Sequence, residues 1–152
     1  MHYCLRTYNI HRQKGCYEIW INSNNRNHRK KGPAVVYSNG DKEYWIQGRR
    51  HRDSDLPAVN SHRGFEYWNN GVKYKIIEQP NGTKEYWSYL ISTNSSPNSL
   101  KLHMENKPAI IYPNGDVEYW QWGKRHRNNG PAVIYGNKQY WFYYGEFIKC
   151  TS

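Results

Sequence analysis

Aliphatic side chains are scarce in this chain. Of 152 residues only 25 are Leu, Ile, Val or Phe, a share usually met in chains that build no core. The mean hydropathy is -1.09. No run of 18 apolar residues occurs, which excludes a spanning helix, and residues 1–15 hold no apolar segment of signal-peptide type. These absences predict a soluble, intracellular, cytoplasmic chain. Cysteine is sparse and odd in number: Cys4, Cys16 and Cys150 form no CxxC pair, so free thiols are expected rather than a disulfide framework or a zinc site. Acidic residues are the minority, 12 against 22 Lys and Arg, for a net charge of +10. The basic surplus is mainly N-terminal, with 11 Lys/Arg against 3 Asp/Glu in residues 1–52. The length suits one domain.

The apolar material that is present is aromatic, with 15 Tyr and 7 Trp. Such rings bury area while keeping a polar tip wet. They recur in order. The stretch from His28 through Gly32-Pro-Ala-Val-Val-Tyr37, Asn39-Gly40 and Glu43-Tyr-Trp45 returns from His103 through Pro108-Ala-Ile-Ile-Tyr112, Asn114-Gly115 and Glu118-Tyr-Trp120. Shorter copies run from His51 to Trp68 and from His126 to Trp141, and weaker ones end at Trp20 and Trp87. The regular period is 23 residues, as from His28 to His51 and from His103 to His126. We divide the chain into about six repeats within one domain, 1–152: a weak 1–27, then 28–50, 51–73, 74–90, 103–125 and 126–152. The segment 88–102, rich in Ser and Asn, reads as a loop or hinge.

Asn-Gly between two short apolar strings is a hairpin signal, because a type I′ turn needs positive φ at both central residues. Pairing outward from Asn39-Gly40 sets Ala34 against Trp45, and from Asn114-Gly115 Ala109 against Trp120. Keeping Ala58 against Trp68 leaves His62-Arg63-Gly64 as a three-residue loop; keeping Ala132 against Trp141 leaves Gly136-Asn137 as a type II′ turn. The expected fold is all-β, a single-layer array of antiparallel β-hairpins in which each touches mainly its neighbours. Its core would be the residues Ala34, Trp45, Ala58, Trp68, Trp87, Ala109, Trp120, Ala132 and Trp141.

The string Trp-x-x-Gly-Lys/Arg-Arg-His-Arg, at 45–52 and 120–127, together with Tyr-x-Asn-Gly-x-x-Glu-Tyr-Trp, at 37–45 and 112–120, resembles a divergent MORN repeat. The variant with His-Arg-x-x-Gly-Pro-Ala-Val is similar to a form found in large DNA viruses and phages. The chain departs from the usual pattern at Arg52 and Arg127, where a second Gly is common, and by its Pro-Ala. The resemblance implies a MORN-type solenoid that is a non-enzymatic scaffold for partner binding and self-association. For a viral protein it implies host factors as partners and host cytoplasm as location.

Strand alternation places Ala34, Val36, Glu43 and Trp45 on one face and Val35, Tyr37, Tyr44 and Ile46 on the other. A row of Tyr37, Tyr44, Tyr67, Tyr112, Tyr119, Tyr135 and Tyr140 is then a candidate partner groove, since tyrosine gives contact area at low entropic cost; the same rows could equally be plain core. The seven histidines suggest a metal, but equivalents on successive hairpins lie ~10 Å apart, too far for each to approach one ion to about 2 Å. Instead, Arg52 or Arg127 is expected to reach Glu43 or Glu118 across the turns. No nucleophile-base pair or carboxylate dyad stands out, so no enzyme activity, cofactor or metal is expected. Lys30, Lys31, Arg49, Arg50, Arg52, Lys124, Arg125 and Arg127 recur at turns and could form a basic edge for nucleic acid or anionic lipid. A protein partner is the favoured expectation, with a homodimer through an end hairpin, such as the segment from Met1 to Trp20, as one form of it.

Overall fold

The computed structural model describes residues 2–5, 16–89 and 99–152. Every regular element among them is a β-strand, and every pair of strands with a defined register is antiparallel. The sheets stay open, with no closed barrel. No helix among these residues is long and apolar enough to cross a membrane. The chain divides into two compact units, Met1–Lys73 and Tyr74–Ser152.

Unit 1 holds β1 (His2–Leu5), β2 (Cys16–Asn22), β3 (Val35–Tyr37), β4 (Lys42–Glu43), β5 (Trp45–Ile46), β6 (Arg49–Arg50), β7 (Val59–Ser61) and β8 (Gly64–Asn69). Strands β1, β2, β3, β4, β7 and β8 follow one another across the sheet, while β5 and β6 form a small hairpin of their own. β1 is an edge strand, so the N-terminal hairpin forms, although most of the segment expected to mediate dimers (residues 1 and 6–15) lies outside the described residues. β9 (Val72–Glu78) begins at the end of unit 1. Unit 2 continues with β10 (Lys84–Tyr89), β11 (Leu100–Leu102), β12 (Ile110–Ile111), β13 (Val117–Glu118), β14 (Trp120–Gln121), β15 (Lys124–Arg125), β16 (Val133–Tyr135), β17 (Lys138–Tyr143) and β18 (Glu146–Thr151). Its order is β9, β10, β12, β13, β16, β17, β18, with β11 also on β10 and β14-β15 a separate hairpin.

The strands pair as hairpins, but three registers differ by one residue from the expected ones. Val35 lies opposite Glu43 and Val36 opposite Lys42; Ile110 lies opposite Glu118; Val59 lies opposite Glu66. The cause is the turn. Only Gly40 and Gly115 have positive φ, at 86° and 90°, so Asn39 and Asn114 are not the first half of a type I′ turn. Their side chains instead accept the backbone N–H of Asp41 and Asp116, both at 3.1 Å, which lengthens the loop to three residues with Gly in the left-handed position. A slip of one residue changes which side chains meet. Ala34 and Ala109 bond the carbonyls of Glu43 and Glu118, so neither meets its Trp. At the second copy the loop is His62-Arg63 alone, flanked by Ser61 and Gly64. The last hairpin keeps the expected register, Val133 opposite Tyr140 around Gly136-Asn137. All four alanines are wholly buried, as a core role requires.

The type I′ turns sit elsewhere. Gln47-Gly48, Asn70-Gly71, Trp122-Gly123 and Tyr144-Gly145 each have positive φ at both residues. The stretch from Trp45 to Arg50 is therefore a second hairpin, closed by Trp45 opposite Arg50. Of the expected loop 88–102, residues 88–89 belong to β10 and 100–102 to β11, with Trp87 opposite Leu102 and Tyr89 opposite Leu100; residues 90–98 lie outside the described residues.

Candidate binding surface

The repeated Glu-Tyr-Trp builds a polar hub. Trp45, Trp68, Trp87 and Trp120 each donate the indole N–H to the Glu two residues before, at 2.8, 3.0, 2.9 and 2.9 Å. One strand pleat brings residues i and i+2 to the same side, which is why the spacing works. A base then arrives from the following hairpin: Arg50 on Glu43 at 3.0 Å, Lys73 on Glu66 at 2.7 Å, Arg125 on Glu118 at 3.0 Å. The Tyr37 hydroxyl donates to Glu43 at 3.3 Å and the Tyr112 hydroxyl to Glu118 at 2.8 Å. Glu118 also accepts from Tyr135. Burial alone would raise the Glu118 carboxyl, but the donors from Arg125, Tyr135 and Tyr112 outweigh it and hold it below its usual value.

Tyr44 and Tyr119 lie between the Glu and the Trp and so face the other way. Each carries a guanidinium on its ring, Arg52 at 3.8 Å and Arg127 at 3.9 Å. These arginines also donate to the carbonyls of Pro57 and Pro131. Arg29 repeats the arrangement over Trp20 at 4.1 Å, with Pro33 as acceptor. In the copy where Met104 replaces the arginine, Lys107 covers Tyr86 at 4.0 Å. The sequence expectation that Arg52 or Arg127 pairs with a repeat Glu is thus corrected; the partners are Arg50 and Arg125, two residues earlier. Clefts open beside these lids at equivalent places in the two units. One, of about 330 Å³, is lined by Tyr44, His51 and Arg52 among others; the other, of about 260 Å³, by Tyr119, His126 and Arg127.

The histidines cap the type I′ turns. The ring Nδ1 of His28 accepts the Gln47 N–H at 3.0 Å, that of His51 the Asn70 N–H at 3.2 Å, and that of His126 the Tyr144 N–H at 3.3 Å. On the other side of the ring, His51 and His126 direct Nε2 at Asp53 and Asn128. Among the described residues no three His, Cys, Asp or Glu side chains gather as a metal would need.

Two further groups, His103 and Asp41, make stability depend on pH. Burial lowers the His103 imidazole below its usual 6.5, the Glu105 carboxylate opposing in part. The unfolded chain then takes up this proton more readily, so the contribution is complete above about pH 6.5 and is lost as pH falls through the folded value. Burial alone would raise Asp41, but hydrogen bonds from the His62 N–H and ring and from Asn39 bring its carboxyl down to about 2. That contribution is present above the usual carboxylate range and is lost as pH falls through about 2. The melting temperature should therefore drop in two stages on acidification. His103→Phe should shrink the upper stage and Asp41→Asn the lower; an unchanged profile in either variant contradicts the assignment.

The chain matches no protein-family model, no curated protein and no solved structure.

Placement of the expected site residues follows from this geometry. Within each unit the tyrosines of the expected row divide between two positions. Tyr37, Tyr112 and Tyr135 turn to the Glu hubs, and Tyr112, Tyr135 and Tyr140 stack edge to face at 5.9 and 6.2 Å. Tyr44, Tyr67 and Tyr119 stand at the alternate position, next to the hub Glu in each strand. The physical reason is the register slip, which puts Tyr37 on the side of Glu43. Of the expected basic edge, Lys30, Lys31, Arg49 and Lys124 are exposed, while Arg50, Arg52, Arg125 and Arg127 are half-buried in the pairings above. Arg26 and Lys101 were missed, yet each stands 23 residues before Arg49 and Lys124. The four stems cover the turn glycines: a side chain on Gly48, Gly71, Gly123 or Gly145 would meet Arg26, Arg49, Lys101 or Lys124 at 3.2, 3.6, 3.1 and 3.7 Å. The exposed apolar residues were also missed. Phe65 is 64% exposed, and the hairpin of β17 and β18 exposes Tyr143, Phe147 and Ile148 at 61, 59 and 58%.

Proposed function

We propose that this chain is a non-catalytic scaffold of MORN-like hairpin repeats that binds a protein partner through β18. The observation that carries this reading is β18 itself. All six of its residues are exposed, and in the strand order of unit 2 it has a neighbour on one side only, β17. Phe147 and Ile148 face water beside free backbone donors and acceptors, the combination that accepts an added strand. Patches of this kind on a soluble protein mark interaction surfaces. Recurrence of one bonding scheme from hairpin to hairpin supports the repeat reading. Among the described residues, the recurring Glu, His, Arg and Tyr groups of the hairpins are engaged in that scheme, which supports a role in binding rather than catalysis.

A second copy of the chain is the simplest partner for such an edge. Light scattering over a wide concentration range should then show a mass rising toward the dimer, and Phe147→Ser with Ile148→Ser should hold the chain monomeric with an unchanged melting temperature. Self-association unaltered by the double substitution removes β18 from the account. Cys150 is a free, exposed thiol on the same strand, so the experiment is run under reducing conditions.

A further inference from the structure

Two turns of unit 2 carry large rings where the backbone disfavours them. Trp122 and Tyr144 have φ of 49° and 45°. The corresponding turns of unit 1 use Gln47 and Asn70; Asn is among the residues that enter this left-handed region readily, whereas a bulky ring there is an outlier. Burial does not compensate, because Trp122 and Tyr144 are 38 and 44% exposed. Instead each ring lies flat on a histidine. Trp122 stacks on His103 with centroids 3.9 Å apart and planes at 11°, and Tyr144 on His126 at 4.0 Å and 13°. The imidazole covers one face of each ring, Tyr143 stands at right angles to Tyr144 with centroids 4.9 Å apart, and both rings keep exposed surface. Strained backbone that presents such a platform points to use of the platform.

A cation accompanies each ring. The stem of Lys101 lies on Gly123 and that of Lys124 on Gly145, and both lysines are exposed with no ion-pair partner among the described residues. The Gly145 N–H bonds the Arg125 carbonyl at 2.9 Å, which sets the second turn beside the hairpin of the first. The two ring-and-lysine pairs therefore repeat at about one hairpin width, ~10 Å.

We propose that this turn edge binds single-stranded nucleic acid, with bases stacking on Trp122 and Tyr144 and phosphates meeting Lys101 and Lys124. A flat ring with exposed surface suits a base, and every base offers a flat face to it. The spacing is about three times the 3.4 Å rise between stacked bases, so the two rings take bases that have left their own stack. A duplex does not offer these. Tyr144 lies at the turn that joins β17 to β18, the hairpin that also carries Phe147 and Ile148, whereas Trp122 lies at the turn between β14 and β15. Loss of binding in Trp122→Asn with Phe147 and Ile148 intact therefore tests this site apart from the protein-binding edge.

The test is fluorescence anisotropy of the full chain with a labelled oligouridylate of roughly 20 nucleotides, long enough to span the site, beside a duplex of equal length and phosphatidylserine vesicles. The single strand should bind at low salt and quench tryptophan emission, with the duplex at least about tenfold weaker. Trp122→Asn with Tyr144→Asn should lose about tenfold or more in affinity while melting no lower than the wild type, since Asn suits the turn. Lys101→Gln with Lys124→Gln should reduce the slope of log affinity against log salt by about 1.4, at ~0.7 per phosphate. No binding at low salt, equal binding of the duplex, retained affinity in the Asn variant, or binding to vesicles alone each overturns the proposal.

Discussion

Glu118→Ala is expected to lower the unfolding free energy by about 3 kcal/mol, read as a fall in the urea midpoint with little change in slope. Glu118 is 1% exposed and accepts from Trp120, Arg125, Tyr112 and Tyr135. Its removal strands four donors, but they do not all suffer equally. The Arg125 side chain is 39% exposed and finds water, and the two hydroxyls, on rings 5.9 Å apart, can turn to each other. The indole N–H of the part-buried Trp120 loses its carboxylate acceptor, and a void remains against the strands. This places the loss toward the lower end of what breaking a buried ion pair costs. Glu118→Gln should recover part of it by keeping acceptor and volume. Stability within about 0.5 kcal/mol of wild type in the Ala variant would show that the hub is decorative.

Tyr86→Ala should be the other severe change, at about 3–5 kcal/mol. Tyr86 is the largest side chain with almost no exposure. It packs on Tyr74 at a centroid distance of 6.1 Å under the Lys107 ammonium, and its backbone N–H bonds the Ala109 carbonyl at 2.8 Å. Strands on both sides prevent collapse into the space a methyl would leave. Tyr86→Phe keeps the ring and should retain most of the stability. A mild Ala variant would mean that this region of unit 2 is less ordered than its packing implies.

Neither the all-β class nor the hairpin character needed more than the sequence, because periodic Asn-Gly and x-Gly pairs flank short apolar strings. The register was only partly legible. Asn39 satisfies the Asp41 backbone with its side chain, and nothing in the dipeptide Asn-Gly tells a two-residue loop from a three-residue one. That single ambiguity moved Tyr37 to the wrong side and paired Ala34 with the wrong partner. The hairpins that turn at Gly48 and Gly123 were not legible, since a two-residue strand such as β6 leaves no periodic trace. The contribution of His28, His51 and His126 was hidden for a different reason: each acts on a turn 18 or 19 residues later, a distance that only the folded hairpin closes. The exposed rings of Trp122 and Tyr144 gave no signal in a chain so rich in Tyr and Trp.

Charge carried less information than the net +10 suggested. Arginines at recurring positions were drawn into ion pairs with Glu43 and Glu118 or onto the rings of Tyr44 and Tyr119. Among the described residues, the exposed basic side chains include those whose stems cover turn glycines, together with Lys30 and Lys31.

The account divides the aromatic residues into those that hold the hairpins together and those that meet partners. Self-association measured by light scattering on two folded-state-checked double variants tests that division most directly. Phe147→Ser with Ile148→Ser should melt like the wild type and remain monomeric, whereas Tyr44→Ser with Tyr119→Ser should lose stability, because the rings under Arg52 and Arg127 are structural. A Tyr44/Tyr119 variant that stays as stable as the wild type yet no longer associates, beside a Phe147/Ile148 variant that associates normally, would contradict it.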